Sequence, residues 1–190
     1  MLKSVLLCAS LLSTQVFAAW QLDATQSDLS ITSIKKNTIA ENHHFKKLEG
    51  TLSDDGKLVF SIDLKTIETM IPIRNQRMQE MLFDISNFPK ANITADLNSY
   101  LKSLKNGVQV FKSVPVELSL HGQQQTLALD LVVNKNNQQL HVTPLRNVLI
   151  NASDFNMVAG VEALRKIAGL DTIATAVPVT FSLVFNEQAH

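Results

Sequence analysis

The stretch VPVTFSLVFN, residues 177–186, decides the fold class of this chain. Its apolar residues recur at every second position, and successive side chains of a β-strand point to opposite faces. The stretch therefore predicts a strand with one continuous apolar face, formed by Val177, Val179, Phe181, Leu183 and Phe185.

The same period of two returns along the chain, at Leu29 and Ile31; Leu58, Phe60, Ile62 and Leu64; Ile93, Ala95 and Leu97; Val114, Val116, Leu118 and Leu120; and Leu127, Leu129 and Leu131. Turn-forming residues separate the runs at 54–56, 105–107, 121–122 and 134–137. Asn, Asp and Gly there tolerate the positive φ angles of tight hairpins. The pattern predicts an all-β fold of about eight mostly antiparallel strands. That number closes a barrel whose interior is filled by side chains or holds one small ligand.

Two segments depart from this period and predict short helices at the ends of the barrel. Residues 73–83 have a helix-forming composition, and the apolar side chains of this region fall near one helical face. The second predicted helix begins near Ser153 or Asp154, which are favoured N-cap residues. It ends at Gly169, a residue type favoured just beyond a helix.

Length and charge limit the classes of function. The chain has 190 residues, the usual size of about one domain, and its 17 basic residues balance 17 acidic ones. A neutral chain lacks the positive charge that binding to a phosphate backbone requires, so no nucleic-acid partner is expected. The sequence predicts one globular domain, residues 19–190, after an N-terminal export signal.

Residues 1–18 have the pattern of that signal. Lys3 precedes an apolar run, and the small side chains of Val16 and Ala18 predict cleavage after Ala18. The alternative, a membrane anchor, is disfavoured because the run is shorter than the about 20 residues that a span needs. We therefore do not expect this chain to be an integral membrane protein, although its sequence allows transient contact with a membrane. The one cysteine, Cys8, lies in this segment, so the mature domain is expected to form no disulfide.

The sequence offers little for catalysis. It contains no Gly-x-Ser-x-Gly elbow, no His-Glu-x-x-His and no glycine-rich phosphate loop, so we expect no catalytic residue, no metal and no cofactor. His43 and His44 are consecutive and would point to opposite faces of a strand. We interpret them, with His121 and His141, as exposed polar residues. A lipid-processing enzyme remains an alternative, and it would use one of these histidines, Glu68, Glu80 or Asp84.

Arg74 and Arg77 are three residues apart on the first predicted helix. Such a basic pair can hold the anionic or polar head of a ligand. The alternative is that the two arginines form ion pairs with Glu80 or Asp84 at helical spacing.

The order of motifs in the first half of the chain resembles the YceI-like family. The matching features are Trp20 with Asp23, the segment 45–50, an Ile-Asp-Leu run at 62–64 followed by Thr69, Arg74 followed by Asn75, Leu-Phe-Asp at 82–84, Phe-Pro at 88–89 and INASDF at 150–155. The resemblance implies a lipocalin-like antiparallel barrel, usually exported to the bacterial periplasm. It further implies that an interior tunnel binds polyisoprenoids or isoprenoid quinones without catalysis. The family commonly has Arg-Asp at 74–75, so an ion pair made by that aspartate is in doubt here.

Apolar side chains near the first helix favour a nonpolar ligand. Met70, Met78 and Met81 fall within twelve residues, and the flexible thioether of methionine adapts to an irregular chain such as a polyprenyl tail. We predict that these methionines line the cavity together with Phe45, Leu64, Ile71, Ile73, Leu82, Phe83, Phe88, Phe155, Met157, Phe181 and Leu183.

These observations together predict a periplasmic binding protein. It would sequester or carry a polyisoprenoid, an isoprenoid quinone or a similar long-chain amphiphile, with Arg74 or Arg77 near the head group. The alternative is a barrel packed by its own side chains that acts as a stress-related structural or protein-interaction module.

Overall fold

The computed structural model describes residues 18–188 of the chain. The predicted export signal, residues 1–18, lies outside the described residues except for its last residue. The described strands are, in chain order, β1 (Ala18–Leu22), β2 (Asp28–Lys35), β3 (Ile39–Phe45), β4 (Leu48–Ser53), β5 (Lys57–Asp63), β6 (Ile67–Glu68), β7 (Lys90–Asp96), β8 (Gly107–Leu120), β9 (Gln123–Asn136), β10 (Gln139–Pro144), β11 (Val148–Asn151) and β12 (Ala176–Glu187).

Eight of these strands close a barrel. Their order around the barrel is β1, β4, β5, β7, β8, β9, β10 and β12, and β12 pairs with β1 to complete the circle. Every pairing among the described strands is antiparallel. The prediction of an all-β barrel of about eight antiparallel strands is therefore confirmed.

The four remaining strands extend the wall at one end of the barrel. β12 pairs with β1 and β10 around Phe185, and with β2 and β11 around Val179. A turn at Asp23 separates β1 from β2, and the Asp23 carboxylate accepts hydrogen bonds from the backbone N–H and the hydroxyl of Thr25 at 3.0 and 2.6 Å. This turn thus divides the run of sequence from β1 to β2 into two strands. Eight of the twelve described strands close the barrel.

Tight turns form where the sequence predicts them. His121 and Gly122 connect β8 to β9 with φ angles of 50° and 73°. Gly56 has φ 85°, and a Cβ there would lie 2.3 Å from the backbone nitrogen of Asn98, so only glycine fits. Leu97 N–H donates to the Gly56 carbonyl at 2.7 Å. This contact fixes the helix Asn98–Ser103, which the sequence did not predict, at the barrel end formed by the 54–56 turn.

Helical structure also forms over the first predicted segment. An α-helix, αA (Pro72–Arg77), continues directly into a π-helical turn (Met78–Leu82). Pro72 suits the first turn of a helix because its missing N–H would have no helical partner there. The helix predicted over 73–83 is therefore present, with a widened second turn.

The second predicted helix, αB (Val158–Ile167), begins later than expected. Residues Ala152–Phe155 form a separate 3-10 turn, and Asn156 adopts a left-handed φ of 55°. The predicted start at Ser153 or Asp154 is wrong because this left-handed residue interrupts the helix. Gly169 has φ 61° just beyond the helix, as its sequence position predicts.

αB packs closely against the π-helical turn. A Cβ at Gly160 would lie 2.6 Å from the Met81 carbonyl oxygen, so the two helical segments can approach this closely only because residue 160 is glycine. These segments cover the end of the barrel at which the β8–β9 hairpin turns, where the His121 ring lies 3.1 Å from the Phe155 carbonyl oxygen. The helices predicted at the barrel ends thus lie there.

Candidate functional site

The interior of the barrel is hollow. A cavity of about 270 Å³ remains between the inward-facing side chains, and every side chain on its wall is apolar. The barrel is therefore not filled by its own side chains, which was the alternative left open by the sequence pattern.

Strand alternation builds this wall. Val177, Val179, Phe181, Leu183 and Phe185, the apolar face of the 177–186 stretch, all line the cavity. On β9 the wall residues are again two apart, at Leu127, Leu129 and Leu131. Because each strand presents every second side chain to the interior, the strands together give a lining without polar groups.

The structure places seven of the predicted lining residues on the wall: Phe45, Leu64, Leu82, Phe83, Met157, Phe181 and Leu183. Phe45 and Phe83 also contact each other, with ring centroids 6.0 Å apart. Phe83 closes the π-helical turn through its backbone N–H, which donates to the Met78 carbonyl at 2.9 Å. Strand and helix thereby meet at one end of the cavity.

Three of the predicted lining residues lie on the outer surface instead. The exposed fractions are 83% for Met70, 44% for Ile71 and 51% for Ile73. Their placement as wall residues is wrong. Met70 and Ile71 precede αA, where Met70 adopts a left-handed φ of 63° and Ile71 is extended, whereas Ile73 lies within αA on an exposed side of that helix. The helical face predicted for Ile71 does not reach that residue, because the helix begins at Pro72.

The other four predicted residues are covered, but they do not line the cavity. Met78 and Phe155 are buried in the surrounding core. Met81 and Phe88 are half-buried, and the Phe88 ring packs on the His121 ring with centroids 4.7 Å apart.

The sequence reasoning missed much of the wall as ligand-contacting surface. β5 and β7 contribute Leu58, Phe60 and Ile93, and β11 contributes Val148 and Ile150. The period of two in β5 and β7 marked their inward face, which was the available signal. β11 has four residues, too few for a clear alternating pattern.

Arg74 is engaged in structural contacts. Its guanidinium donates to the Glu41 carboxylate at 2.7 Å and to the Thr69 carbonyl at 2.6 Å. The alternative prediction, that Arg74 forms an ion pair with Glu80 or Asp84, is therefore wrong. Arg74 forms an ion pair with Glu41 on β3 instead. The Arg77 side chain, in contrast, makes no hydrogen bond or ion pair with another residue in the range 18–188.

The residue after Arg74 holds the neighbouring chain by hydrogen bonds. Asn75 Oδ1 accepts hydrogen bonds from the Thr69 backbone N–H and hydroxyl at 2.9 and 2.6 Å. Its amide nitrogen donates to Glu68 at 3.0 Å. Hydrogen bonds from Lys46, from Asn75 and from the Met70 backbone lower the Glu68 pKa to about 2. Asn75 thus holds residues 68–75 together by hydrogen bonds to Thr69 and Glu68.

The candidate catalytic carboxylates lie away from the cavity wall. Glu68 forms the contacts described above, Glu80 accepts a hydrogen bond from Gln76 at 2.9 Å, and Asp84 accepts one from Asn87 at 2.8 Å. These bonds give each carboxylate a local structural role.

The histidines do not all behave as predicted. His43 is 2% exposed, which contradicts its interpretation as an exposed residue. Its Nε2 lies 2.9 Å from the Ser33 hydroxyl. Burial, followed by the nearby Arg74 charge, lowers the His43 pKa. His141 is exposed and contacts Ser182 at 2.8 Å. No cluster of three or more His, Cys, Asp or Glu residues in the part of the chain that the structure describes is placed to hold a metal ion.

None of the helices formed by residues 18–188 has the length and apolar character needed to cross a bilayer.

Comparison with known proteins agrees with this architecture. A domain from Saccharophagus degradans, a polyisoprenoid binding domain implicated in plant cell wall breakdown, is similar in structure with a TM-score of 0.86 and 33% sequence identity, and the match covers 90% of this chain and 100% of that one. BcnA of Burkholderia cenocepacia matches with a TM-score of 0.65 and 19% identity, over 86% and 98% of the two chains. A YceI protein of Campylobacter jejuni matches with a TM-score of 0.57 and 15% identity, over 77% and 85%.

The last two similarities concern the fold alone, because sequence identity is low. No match was found among curated proteins. The family model of the YceI-like domain matches residues 20–185, which span β1 to β12 and the complete cavity wall. The chain therefore belongs to the YceI-like family.

Proposed function

We propose that the barrel binds the apolar tail of a polyisoprenoid, an isoprenoid quinone or a similar long-chain amphiphile, and keeps that tail out of water without changing it chemically. The cavity carries this proposal, because about 270 Å³ of space is enclosed by apolar side chains alone. Apolar cavities of this kind stay free of water and take up apolar molecules. The polyisoprenoid-binding domain of Saccharophagus degradans, at 33% identity, supports the choice of ligand class.

Hydrophobic burial supplies enough free energy for such binding. Removing roughly 300 Å² of apolar tail surface from water contributes about 7 kcal/mol, at about 25 cal/mol per Å². The ordering of the tail and the loss of its free motion oppose this gain. The remainder supports useful affinity even without a polar contact.

Of the two arginines predicted near the head group, Arg77 is the better candidate. The Arg74 guanidinium already binds Glu41 and the Thr69 carbonyl. Arg77 follows on the same helix, directly before the π-helical turn that carries the wall residue Leu82, and it has no partner of its own within the described residues. An anionic head group is therefore proposed to meet Arg77.

We further propose that the protein works in the periplasm after cleavage behind Ala18. The support is the sequence pattern of residues 1–18. N-terminal sequencing of the exported protein tests this location, and a first residue of Ala19 is the expected result. Retention of residues 1–18 in the cytoplasmic fraction would contradict it.

A second candidate function, a protein-interaction module, is favoured by one observation. Met70, Ile71 and Ile73 are exposed apolar side chains within four residues of each other at the start of αA. Such side chains are typical of an interaction site when they form a patch larger than the scattered apolar surface of ordinary proteins. Binding of a partner protein that depends on these three side chains, and not on the cavity, would favour this function.

Displacement of a fluorescent lipid tests the binding proposal. cis-Parinaric acid fluoresces when its tail enters an apolar site, and unlabelled isoprenoid alcohols of increasing length compete for that site. We expect affinity to rise with chain length until the cavity is filled. Failure of the protein to take up either the probe or any alcohol would overturn the proposal.

A further inference from the structure

The barrel wall has a gap on one side. Over residues 123–129, β9 pairs with β8 alone, because its pairing with β10 begins at Leu131. β11, which follows β10 along the chain, pairs with β12 alone. The edges of β9 and β11 therefore face each other without a backbone ladder, and we call the space between them the side slit.

Apolar side chains stand on both edges of the side slit. Leu127 and Leu129 of β9 line the cavity from one edge, and Val148 and Ile150 of β11 line it from the other. All four are half-buried. A chain that passes between the two strands would therefore contact apolar side chains from the outer surface to the cavity.

Polar contacts close the side slit only at its two ends. At one end, the Gln125 amide donates to the Asp154 carbonyl at 3.3 Å. At the other end, Leu145 N–H donates to the Asp130 carbonyl at 2.8 Å, and Arg146 binds the Asp130 carboxylate at 3.0 Å. No backbone pairing joins β9 to β11 between these contacts.

The two ends of the barrel are covered more fully. αB packs against the π-helical turn at one end, where the approach is so close that it requires Gly160. At the other end, Trp20 is 6% exposed, and the Lys135 ammonium lies 5.7 Å from the centroid of its ring. Leu101 of the helix Asn98–Ser103 packs against the same core. Opening either end requires the separation of packed elements, whereas the side slit lacks strand pairing to break.

We propose that the side slit is the entrance through which the apolar tail reaches the cavity. This inference rests on the proposed binding function. It specifies the ligands of the barrel as amphiphiles with one flexible chain. The unpaired strand edges carry backbone N–H and C=O groups that no neighbouring strand satisfies. Those groups can hydrogen-bond to a polar head while the tail passes between the two strands.

A reversible cross-link tests the entrance. Ala128→Cys on β9 and Leu149→Cys on β11 place thiols on the outer face, because both positions alternate with wall residues and both are exposed. The background is Cys8→Ser, which removes the one natural cysteine. A short bis-methanethiosulfonate reagent joins the two thiols, and dithiothreitol releases them. Stopped-flow fluorescence of cis-parinaric acid measures the rate of uptake.

A second cross-link provides a matched control. Thr51→Cys and Val59→Cys lie opposite each other on β4 and β5, whose strands are paired along this seam. We expect the slit cross-link to slow uptake at least tenfold, with recovery after reduction, and the control cross-link to change the rate less than twofold.

Two results would overturn the entrance. An uptake rate that stays within twofold of the rate without the slit cross-link would place the route elsewhere. Equal slowing by the two cross-links would show a general effect of stiffening the barrel. Failure of the proposed function is distinguishable, because the protein without any cross-link would then show no uptake. That result would contradict the binding function and the entrance together.

Discussion

Ile93 lies on the cavity wall, whereas its neighbour Thr94 is exposed on the outer face of the same strand. The two residues are adjacent on β7 and share its backbone environment. They therefore allow a bulky side chain to be added inside or outside the barrel at nearly the same position.

Ile93→Trp is expected to reduce binding of an apolar ligand at least tenfold, because the indole occupies part of the cavity. Because the indole extends into the hollow interior rather than into a close-packed core, the free energy of unfolding should fall by less than about 1 kcal/mol. Thr94→Trp should leave binding within twofold. Probe titration and thermal unfolding of both variants check the prediction, and equal loss of binding in the two variants would argue against a ligand inside the barrel.

The two arginines of αA should differ in their effects. Arg74→Ala removes contacts to Glu41 and to the Thr69 carbonyl, and we expect a loss of about 1–2 kcal/mol in the free energy of unfolding. Arg77→Ala should change stability by less than about 0.5 kcal/mol but weaken binding of a polyprenyl phosphate relative to the matching alcohol. Unfolding in urea and parallel titrations with the two ligands measure both effects. If Arg77→Ala changed the affinities for the polyprenyl phosphate and for the alcohol equally, Arg77 would not bind the head group.

Asn75→Asp tests the hydrogen-bonded 68–75 segment. The new carboxylate loses the amide donor to Glu68 and places a second negative charge beside it, so Tm at pH 7 should fall by about 2–4 °C. The pKa of Glu68 is lowered to about 2 by Lys46, Asn75 and the Met70 backbone. Its contribution to stability is therefore present above its ordinary pKa and is lost as pH falls toward 2.

In the variant, the Glu68 pKa should rise, because one of its hydrogen-bond donors is gone and a like charge is near. The difference in Tm between the parent and the variant should then narrow as pH falls from 7 to 3. A difference that widens on acidification would contradict this account of the Asn75 position.

His43 should make the protein less stable in mild acid. Burial, and then the Arg74 charge, lower its pKa, while Glu41 acts in the opposite direction and Lys35 adds to the lowering. The unfolded chain then binds the proton more readily, so the His43 contribution to stability is complete above about pH 6.5 and declines as pH falls below it.

His43→Gln should flatten this part of the pH dependence. Urea unfolding between pH 5 and 8 measures the slope for both proteins, and His141→Gln, at an exposed histidine, provides the control. An unchanged slope in His43→Gln, or an equal change in His141→Gln, would show that another group causes the decline.

The fold could be predicted from the sequence because inward and outward residues alternate along the strands. The faces of 127–131 and 177–185 were assigned correctly from this period alone, and they line the cavity. Whether the barrel is hollow could not be predicted in this way. Alternation fixes which side chains face inward, but strand tilt and stagger determine how much space they leave.

Errors in the predicted site arose from local backbone geometry. Ile71 was assigned to a helical face and Met70 to a group of lining methionines, but both precede the helix start at Pro72 and lie at the surface. The late start of αB depends on the left-handed Asn156. The side slit was also absent from the prediction, because the break between β10 and β11 reflects strand pairing across the barrel rather than a sequence period.

The most direct measurement of the central claim is organic extraction of the purified protein, followed by mass spectrometry of the extract. The protein is produced in a host that makes prenyl lipids and is compared with Ile93→Trp prepared identically. The account predicts a polyisoprenoid, an isoprenoid quinone or a related single-chain amphiphile in the parent, at least tenfold depleted in the variant. A parent protein that carries no such lipid and also fails to take up cis-parinaric acid would contradict it.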